Sequence, residues 1–399
     1  MTIEVRTLTT CEVCDATDLV PLLDLGDQPM CDDLVPIGNP AYPAPYPLRL
    51  VGCERCITVH QAEQVEKRVL FPENYHYRAA MTQDVLSGMR ELVGAIGAHI
   101  GGLKGKQVVD IGCNDGSLLA IFKEHGAKTA GIEPTGAVED ARARVDWVHH
   151  GFFDAAAVDA YLADHRQPDV ITFTNVFAHI EDLNGLIANL KRLMGPDTKL
   201  AIENHYLGAV VDRAQFDTFY HEHPRTYSYR SFDYIAMKLG RVIERVEFPE
   251  RYNGNIRVVM GNGVAAGPID RDESGFLDGV RKMAPQIDEA RRAIRGRLEA
   301  LAAEHGPLPA KAFPGRAAIL IHAFGLDETL IDATYERSSS PKIGNYVPGT
   351  RIEIRDEAEF FRDRMDSPVL VNLAWHIQAE IERYMRGQGF EGEILPVFG

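Results

Sequence analysis

The chain has 399 residues, of which 45% are hydrophobic and 25% charged, and its formal net charge is −16. That length suits two or three domains with cores of their own. The negative field repels phosphate backbones and excludes a nucleic-acid substrate, and no run of about 18 apolar residues reads as a membrane span. The first residues, MTIEVRTLTTCEVC, contain no apolar core of a signal peptide, so a cytoplasmic location is expected. Cysteines there stay reduced, and clustered ones read as metal ligands before disulfides.

Residues 1–75 are predicted to form a small module. They hold five of the six cysteines, the proline-rich run PAYPAPYP and little helical periodicity. A core this thin needs a staple. Cys11-Glu-Val-Cys14 and Cys53-Glu-Arg-Cys56 supply one, as two CxxC pairs separated by 38 residues. Zinc takes four thiolates at about 2.3 Å in a tetrahedron, and two such knuckles complete it. Four thiolates leave no open position, so the expected zinc is structural. Cys31 has no paired neighbour and reads as a plain buried thiol. From Met81 to Leu103 the spacing of Val85, Met89, Leu92, Val93, Ile96 and Ile100 turns helical.

The second predicted domain, 76–268, alternates strands at 107–112, 129–133, 169–175 and 198–204 with helices at 116–125, 137–144, 155–164 and 181–194. That alternation implies a doubly wound, largely parallel sheet. Between the first strand and its helix lies Asp110-Ile111-Gly112-Cys113-Asn114-Asp115-Gly116. The glycines allow a sharp turn and close approach to a ligand. The pattern lacks the third glycine of GxGxxG and resembles the Asp-x-Gly-x-x-x-Gly turn of class I methyltransferases. That resemblance implies S-adenosylmethionine, with Asp110, Gly112, Asn114 and Gly116 around it. Glu133 stands 23 residues after Asp110 at the next strand end, where a carboxylate can accept two ribose hydroxyls. Asn175 ends the strand 169–175, at the edge where crevice ligands bind, and His179 follows a turn later. A nucleotide-binding dehydrogenase is the competing reading, weakened by the missing glycine and by the lack of a Tyr-x-x-x-Lys pair.

Next comes Phe216-Asp217-Thr218-Phe219-Tyr220-His221-Glu222-His223-Pro224. Polar groups of this density above the carboxyl edge of a sheet point to chemistry. For carbon methylation, a His or carboxylate can remove a proton beside a carbonyl while a Tyr or second His donates to the enolate oxygen. A metal pair at His221 and His223 lacks a third ligand. RVIERVEF and IRVVMG suit an antiparallel hairpin, and 270–305 a linking helix. Residues 269–399 are expected to form a smaller α/β domain in which AAILIHAF, AEFFRDRM, PVLVNLAW and IQAEIERYMR alternate.

Taken together, the four-cysteine module, DIGCNDGSLL, GIEP, NVFAHI, FDTFYHEHPRTYSYRSF and KIGNYVPGTRIEI resemble bacterial nucleotide-sugar C-methyltransferases over nearly the whole chain. These act at carbon 3 of nucleotide-linked 4-keto-6-deoxyhexoses. The resemblance implies a class I methyltransferase core between the zinc module and a Rossmann-like C-terminal domain. It makes His223 the base, Glu222 its orienting acid and Tyr220 the enolate stabiliser, with His179 and Asn204 behind them. It also places Tyr75 and Tyr77 at the sugar nucleotide and matches Cys11, Cys14, Cys53 and Cys56 to the zinc ligands. The chain departs from the family where Gly-Gly-Ser-x-Arg is usual: it reads Asn253-Gly254-Asn255-Ile256-Arg257. A Lys-Gly turn is replaced by Ala312-Phe313-Pro314-Gly315-Arg316. Arg257 and Arg316 are the substrate-binding candidates there. Two alternatives stand beside this reading: a methyltransferase for oxygen, nitrogen or a non-sugar carbon acid, and a binding protein with a methyltransferase core. The partner expected is a small-molecule sugar nucleotide; the oligomeric state is left open.

Overall fold

In the computed structural model, residues 5–71, 78–81, 83–250 and 254–399 are described. The core of the middle domain is a seven-stranded sheet. Its order is Trp147–His150, Lys128–Glu133, Gln107–Ile111, Val170–Thr174, Lys199–His205, Asn255–Gly261, Val242–Glu247. The first five strands run parallel, and the last two pairings, Lys199–His205 with Asn255–Gly261 and Asn255–Gly261 with Val242–Glu247, are antiparallel. Val108, Val109, Ile171 and Phe173 are fully buried, which is why the inner strands read as continuous apolar runs instead of alternating ones. The chain reverses its winding between Gln107–Ile111 and Val170–Thr174, so the crevice opens beyond Ile111 and Thr174, at the carboxyl edge.

The helices expected at 116–125, 137–144, 155–164 and 181–194 appear at Ser117–Glu124, Val138–Arg142, Ala155–Asp164 and Leu183–Leu193. Asp154 and Asp182 cap the last two by accepting from backbone N–H groups of the first turn. The long helix Gln83–Ile100 ends at Gly101 and Gly102, both at positive φ. No helix among the described residues is long and apolar enough to cross a membrane.

The three units expected from the sequence interlock. The module's sheet runs Leu19–Gln28, Tyr46–Cys53, Thr58–Gln61, and its fourth strand is Arg225–Thr226, lent by the middle domain. In return the module gives Val35–Pro36 to the edge of the C-terminal sheet, against Asn345–Tyr346. That C-terminal sheet has a parallel core, Glu393–Pro396, Val369–Asn372, Leu308–Lys311, Ile331–Glu336, Glu353–Asp356. The order is doubly wound, and its winding reverses beside Leu308–Lys311. AAILIHAF, named in the sequence without a strand or helix assignment, is the helix Ala317–Phe324, ending on left-handed Gly325. Six of its eight residues are buried, and a helix that is apolar all round carries no period to distinguish it from a strand. The charged stretch 270–305 forms the helices Phe276–Arg281 and Met283–His305.

Candidate active site

The four module thiols fit one metal ion. The Sγ atoms of Cys11, Cys14, Cys53 and Cys56 all lie within 4.8 Å of one another, with Cys11–Cys56 and Cys14–Cys53 at 3.4 Å. None is in a disulfide, and sulfurs sharing a zinc at about 2.3 Å sit at comparable separations. The two knuckles are built alike. Asp15 N–H donates to the Cys11 carbonyl and Ile57 N–H to that of Cys53, each at 2.9 Å. Both Asp15 and Ile57 are left-handed, a conformation a β-branched residue such as Ile57 adopts only where its surroundings demand it.

The cofactor turn is shaped by left-handed Gly112, Asn114 and Gly116. At Gly112, φ is +69° and an added Cβ would meet Val176 side-chain atoms at 2.7 Å. Replacing Gly112 with Ala is therefore expected to raise the dissociation constant for S-adenosylmethionine about tenfold, since a left-handed alanine costs about 1–2 kcal/mol. Titration calorimetry measures it. Beneath the turn, the Asp110 carboxylate accepts from Thr172 Oγ1 at 2.6 Å, and burial pushes its pKa up to about 7. Glu133 ends its strand as expected. One of its carboxylate oxygens accepts from Asn114 N–H, the other from Thr135 N–H, each at 2.9 Å. It thus braces the turn; Oε1 also accepts from the Thr135 hydroxyl at 2.5 Å, so Oε2 is the oxygen that keeps a further lone pair for a ligand. The Asn114 side chain accepts from Ala79 N–H at 3.0 Å, bringing the segment after the module onto the turn. Across the crevice, Asn175 is left-handed, and its side-chain oxygen accepts from Asn255 Nδ2 at 3.3 Å.

Tyr220 and His223 form a pair beside this crevice. His223 Nδ1 faces the Thr218 carbonyl at 3.0 Å, and Nε2 lies 2.9 Å from the Tyr220 hydroxyl. A carbonyl only accepts, so Nδ1 carries the hydrogen and the Nε2 lone pair accepts from the phenol. Burial and the nearby rings of His179 and His205 hold His223 well below its ordinary pKa. Burial raises the Tyr220 hydroxyl well above its own, with Glu222 adding to the effect. The pair is thus a neutral imidazole accepting from an intact phenol. His179 stands 4.7 Å from His223, ring to ring, and its Nδ1 donates to the Glu222 carbonyl at 2.7 Å.

The sequence did not single out His205. Its ring lies 5.7 Å from His223, at the end of the strand Lys199–His205. Asn204, on the same strand, is buried, and its Nδ2 finds no hydrogen-bond partner among the described residues.

Three of the expected site residues have other partners. Glu222 does not orient His223; the Thr218 carbonyl does. The buried Glu222 carboxyl keeps Oε2 without a partner among the described residues. Burial, with Asp32 close by, pushes its pKa up to about 8. Arg257 is no free anion-binding group: Glu203 takes one side of its guanidinium at 2.7 and 2.8 Å and Glu247 the other at 2.8 Å. Arg316 is likewise committed. It grips Asp217 through two contacts of 2.5 and 2.8 Å, while the Trp375 indole N–H donates to the same carboxylate at 2.9 Å. The winding reversal of the C-terminal sheet thus clamps the Tyr220 segment, an arrangement made by residues 99 and 158 positions apart. Tyr75 and Tyr77 lie outside the described residues.

Glu222 also fixes a pH dependence. Its folded pKa of about 8 lies above the ordinary 4.5. The folded chain therefore keeps a proton that the unfolded chain releases. Its contribution to stability is fully present below pH 4.5 and is lost as pH rises through 8. Melting temperatures across that range are expected to fall less steeply in Glu222→Gln, which has no proton to lose.

Three family descriptions match successive parts of the chain. A "putative zinc binding domain" covers residues 11–71, a "methyltransferase domain" 83–244, and a "C-methyltransferase C-terminal domain" 273–394. The C-methyltransferase NovU of Streptomyces niveus is 26% identical over 393 residues, spanning 94% of this chain and 92% of that protein. A ubiquinone biosynthesis O-methyltransferase of Klebsiella pneumoniae is 31% identical over 108 residues, 26% of this chain and 44% of the relative. Among solved structures, magnesium protoporphyrin IX methyltransferase of Synechocystis with bound SAH is 17% identical, covering 44% of this chain and 82% of that one at a TM-score of 0.35. With its four-thiol zinc site and its glycine turn at the carboxyl edge of the sheet, this chain is an S-adenosylmethionine-dependent methyltransferase, similar to a C-methyltransferase over 94% of its length.

Proposed function

We propose that the chain methylates carbon 3 of a nucleotide-linked 4-keto-6-deoxysugar after removing the proton from that carbon. The observation that supports this reading best is the Tyr220–His223 hydrogen bond, with the imidazole's Nε2 lone pair held ready to accept. S-adenosylmethionine, held at the Gly112–Gly116 turn with Glu133 at its ribose, supplies an electrophilic methyl group. The chain's own part is to create and hold the carbon nucleophile. Tyr220 Oη takes the carbon 3 proton while its own proton passes to His223 Nε2. The imidazolium so formed is held by the Thr218 carbonyl at Nδ1 and balances the enolate charge. After transfer the enolate charge is consumed, and His223 returns its extra proton through Tyr220 to water.

His179 and Asn204 support this centre, the first by fixing the Glu222 backbone and the second by offering a buried amide N–H to the acceptor. The cheapest test is exchange in deuterated water without S-adenosylmethionine. Enzyme-dependent deuterium incorporation at carbon 3 of a 4-keto-6-deoxy sugar nucleotide is the expected result. Methyl transfer to that compound without any exchange would point instead to an oxygen acceptor.

A further inference from the structure

The zinc module reaches the backbone of the Tyr220–His223 turn through the Gln61 side chain. Gln61 ends the strand Thr58–Gln61 and is 1% exposed. Its amide nitrogen donates to the Tyr220 carbonyl at 2.7 Å and the His223 carbonyl at 2.9 Å. Its backbone N–H donates to the Pro224 carbonyl at 3.0 Å. A primary amide has two N–H bonds, and here two carbonyls of one turn take them. The opposite amide orientation would set oxygen against two oxygens, so the chemistry fixes the assignment. The same Tyr220 carbonyl also accepts from His223 N–H at 2.8 Å. Gln61 therefore binds both ends of the turn that sets the phenol against the imidazole.

The metal knuckle decides where Gln61 stands. Strands Tyr46–Cys53 and Thr58–Gln61 form a hairpin whose turn contains Cys53 and Cys56, with Cys53 opposite Thr58 and Leu50 opposite Gln61. A slip of one residue in that register would turn Gln61 to the other face of the sheet. Thiolate ligation at the turn holds the register.

We infer that Gln61 is a positioning residue for methyl transfer, holding the Tyr220–His223 pair in its reactive geometry from a hairpin whose register the zinc knuckle locks. The effect on turnover rests on the proton-abstraction reading above; the effect on the turn does not. The test uses the full zinc-loaded chain as wild type, Gln61→Leu and, as a second variant of unchanged length that lacks the amide N–H groups, Gln61→Glu. Lys238→Met is the control, because it removes a different link to the module, to Asp15. Hydrogen exchange by mass spectrometry reads the peptide across residues 216–226. Exchange there is expected to quicken about tenfold in both Gln61 variants and to stay unchanged in Lys238→Met.

Calorimetry with S-adenosylhomocysteine is expected to keep one site per chain and an unchanged affinity, which separates misplacement from misfolding. The kcat on the 4-keto sugar nucleotide is expected to drop about tenfold while KM for S-adenosylmethionine holds. Unchanged exchange in the Gln61 variants would overturn the inference, as would wild-type kcat. If the wild-type chain leaves the sugar unmethylated, the sugar reading falls and exchange alone decides on Gln61.

Discussion

Replacing Tyr220 by Phe is expected to lower kcat by about a hundred- to ten-thousandfold, the usual reach of a positioned acid–base group, without weakening S-adenosylmethionine binding. The ring is retained, so packing against the 4.1 Å neighbour His223 persists. What is lost is the hydroxyl that Nε2 accepts from. His223→Ala should fall into the same range. The double variant should be little worse than either single one, because members of one proton path do not add. Calorimetry with S-adenosylhomocysteine should show unchanged affinity in all three, since the turn Gly112–Gly116 stands on strands that neither residue touches. A Tyr220→Phe enzyme at near wild-type kcat removes the phenol from the proton path. A His223→Ala enzyme that retains turnover removes the imidazole.

How much of this was legible depended on how local each feature is. The turn after Gln107–Ile111 announces itself within nine residues, because glycine, strand and helix signals all fall inside one βα unit. The thiols were equally plain, since a CxxC pair is a local turn and ligand chemistry does the rest. The strand Trp147–His150 was missed: it is a short, half-exposed edge with no apolar run to mark it. Glu222 was assigned by adjacency to orient His223, but the turn sends neighbouring side chains to different surroundings. The carboxyl goes toward Asp32 and the imidazole toward Thr218. Arg257 and Arg316 were chosen because they stand where the resembled family carries an Arg and a Lys, and their carboxylate partners sit on other strands or in another domain. Gln61 carries no motif at all; only the fold brings it to residues about 160 positions away.

Removing the metal should have the broadest effect. A structural zinc contributes about 10–16 kcal/mol of apparent binding energy, comparable to or larger than the about 5–15 kcal/mol that keeps a whole domain folded. The module has little else to replace it, for its sheet is narrow and borrows Arg225–Thr226 from its neighbour. Chelation, or Cys53→Ser, is therefore expected to unfold residues 11–61 and abolish turnover. It should also expose the knuckles to proteolysis and free the Val35–Pro36 edge of the C-terminal sheet.

One face of the central sheet has a core apart from the module, where Val93, Val108, Phe122 and Val170 are fully buried. Far-ultraviolet circular dichroism should accordingly retain most of its signal, and S-adenosylhomocysteine should still bind. Metal analysis of the purified chain should find one zinc. Loss of turnover with cofactor binding intact is what a module that shapes the acceptor side predicts. A metal-free chain with unchanged melting temperature and kcat would mean that four buried thiols hold the module by packing alone.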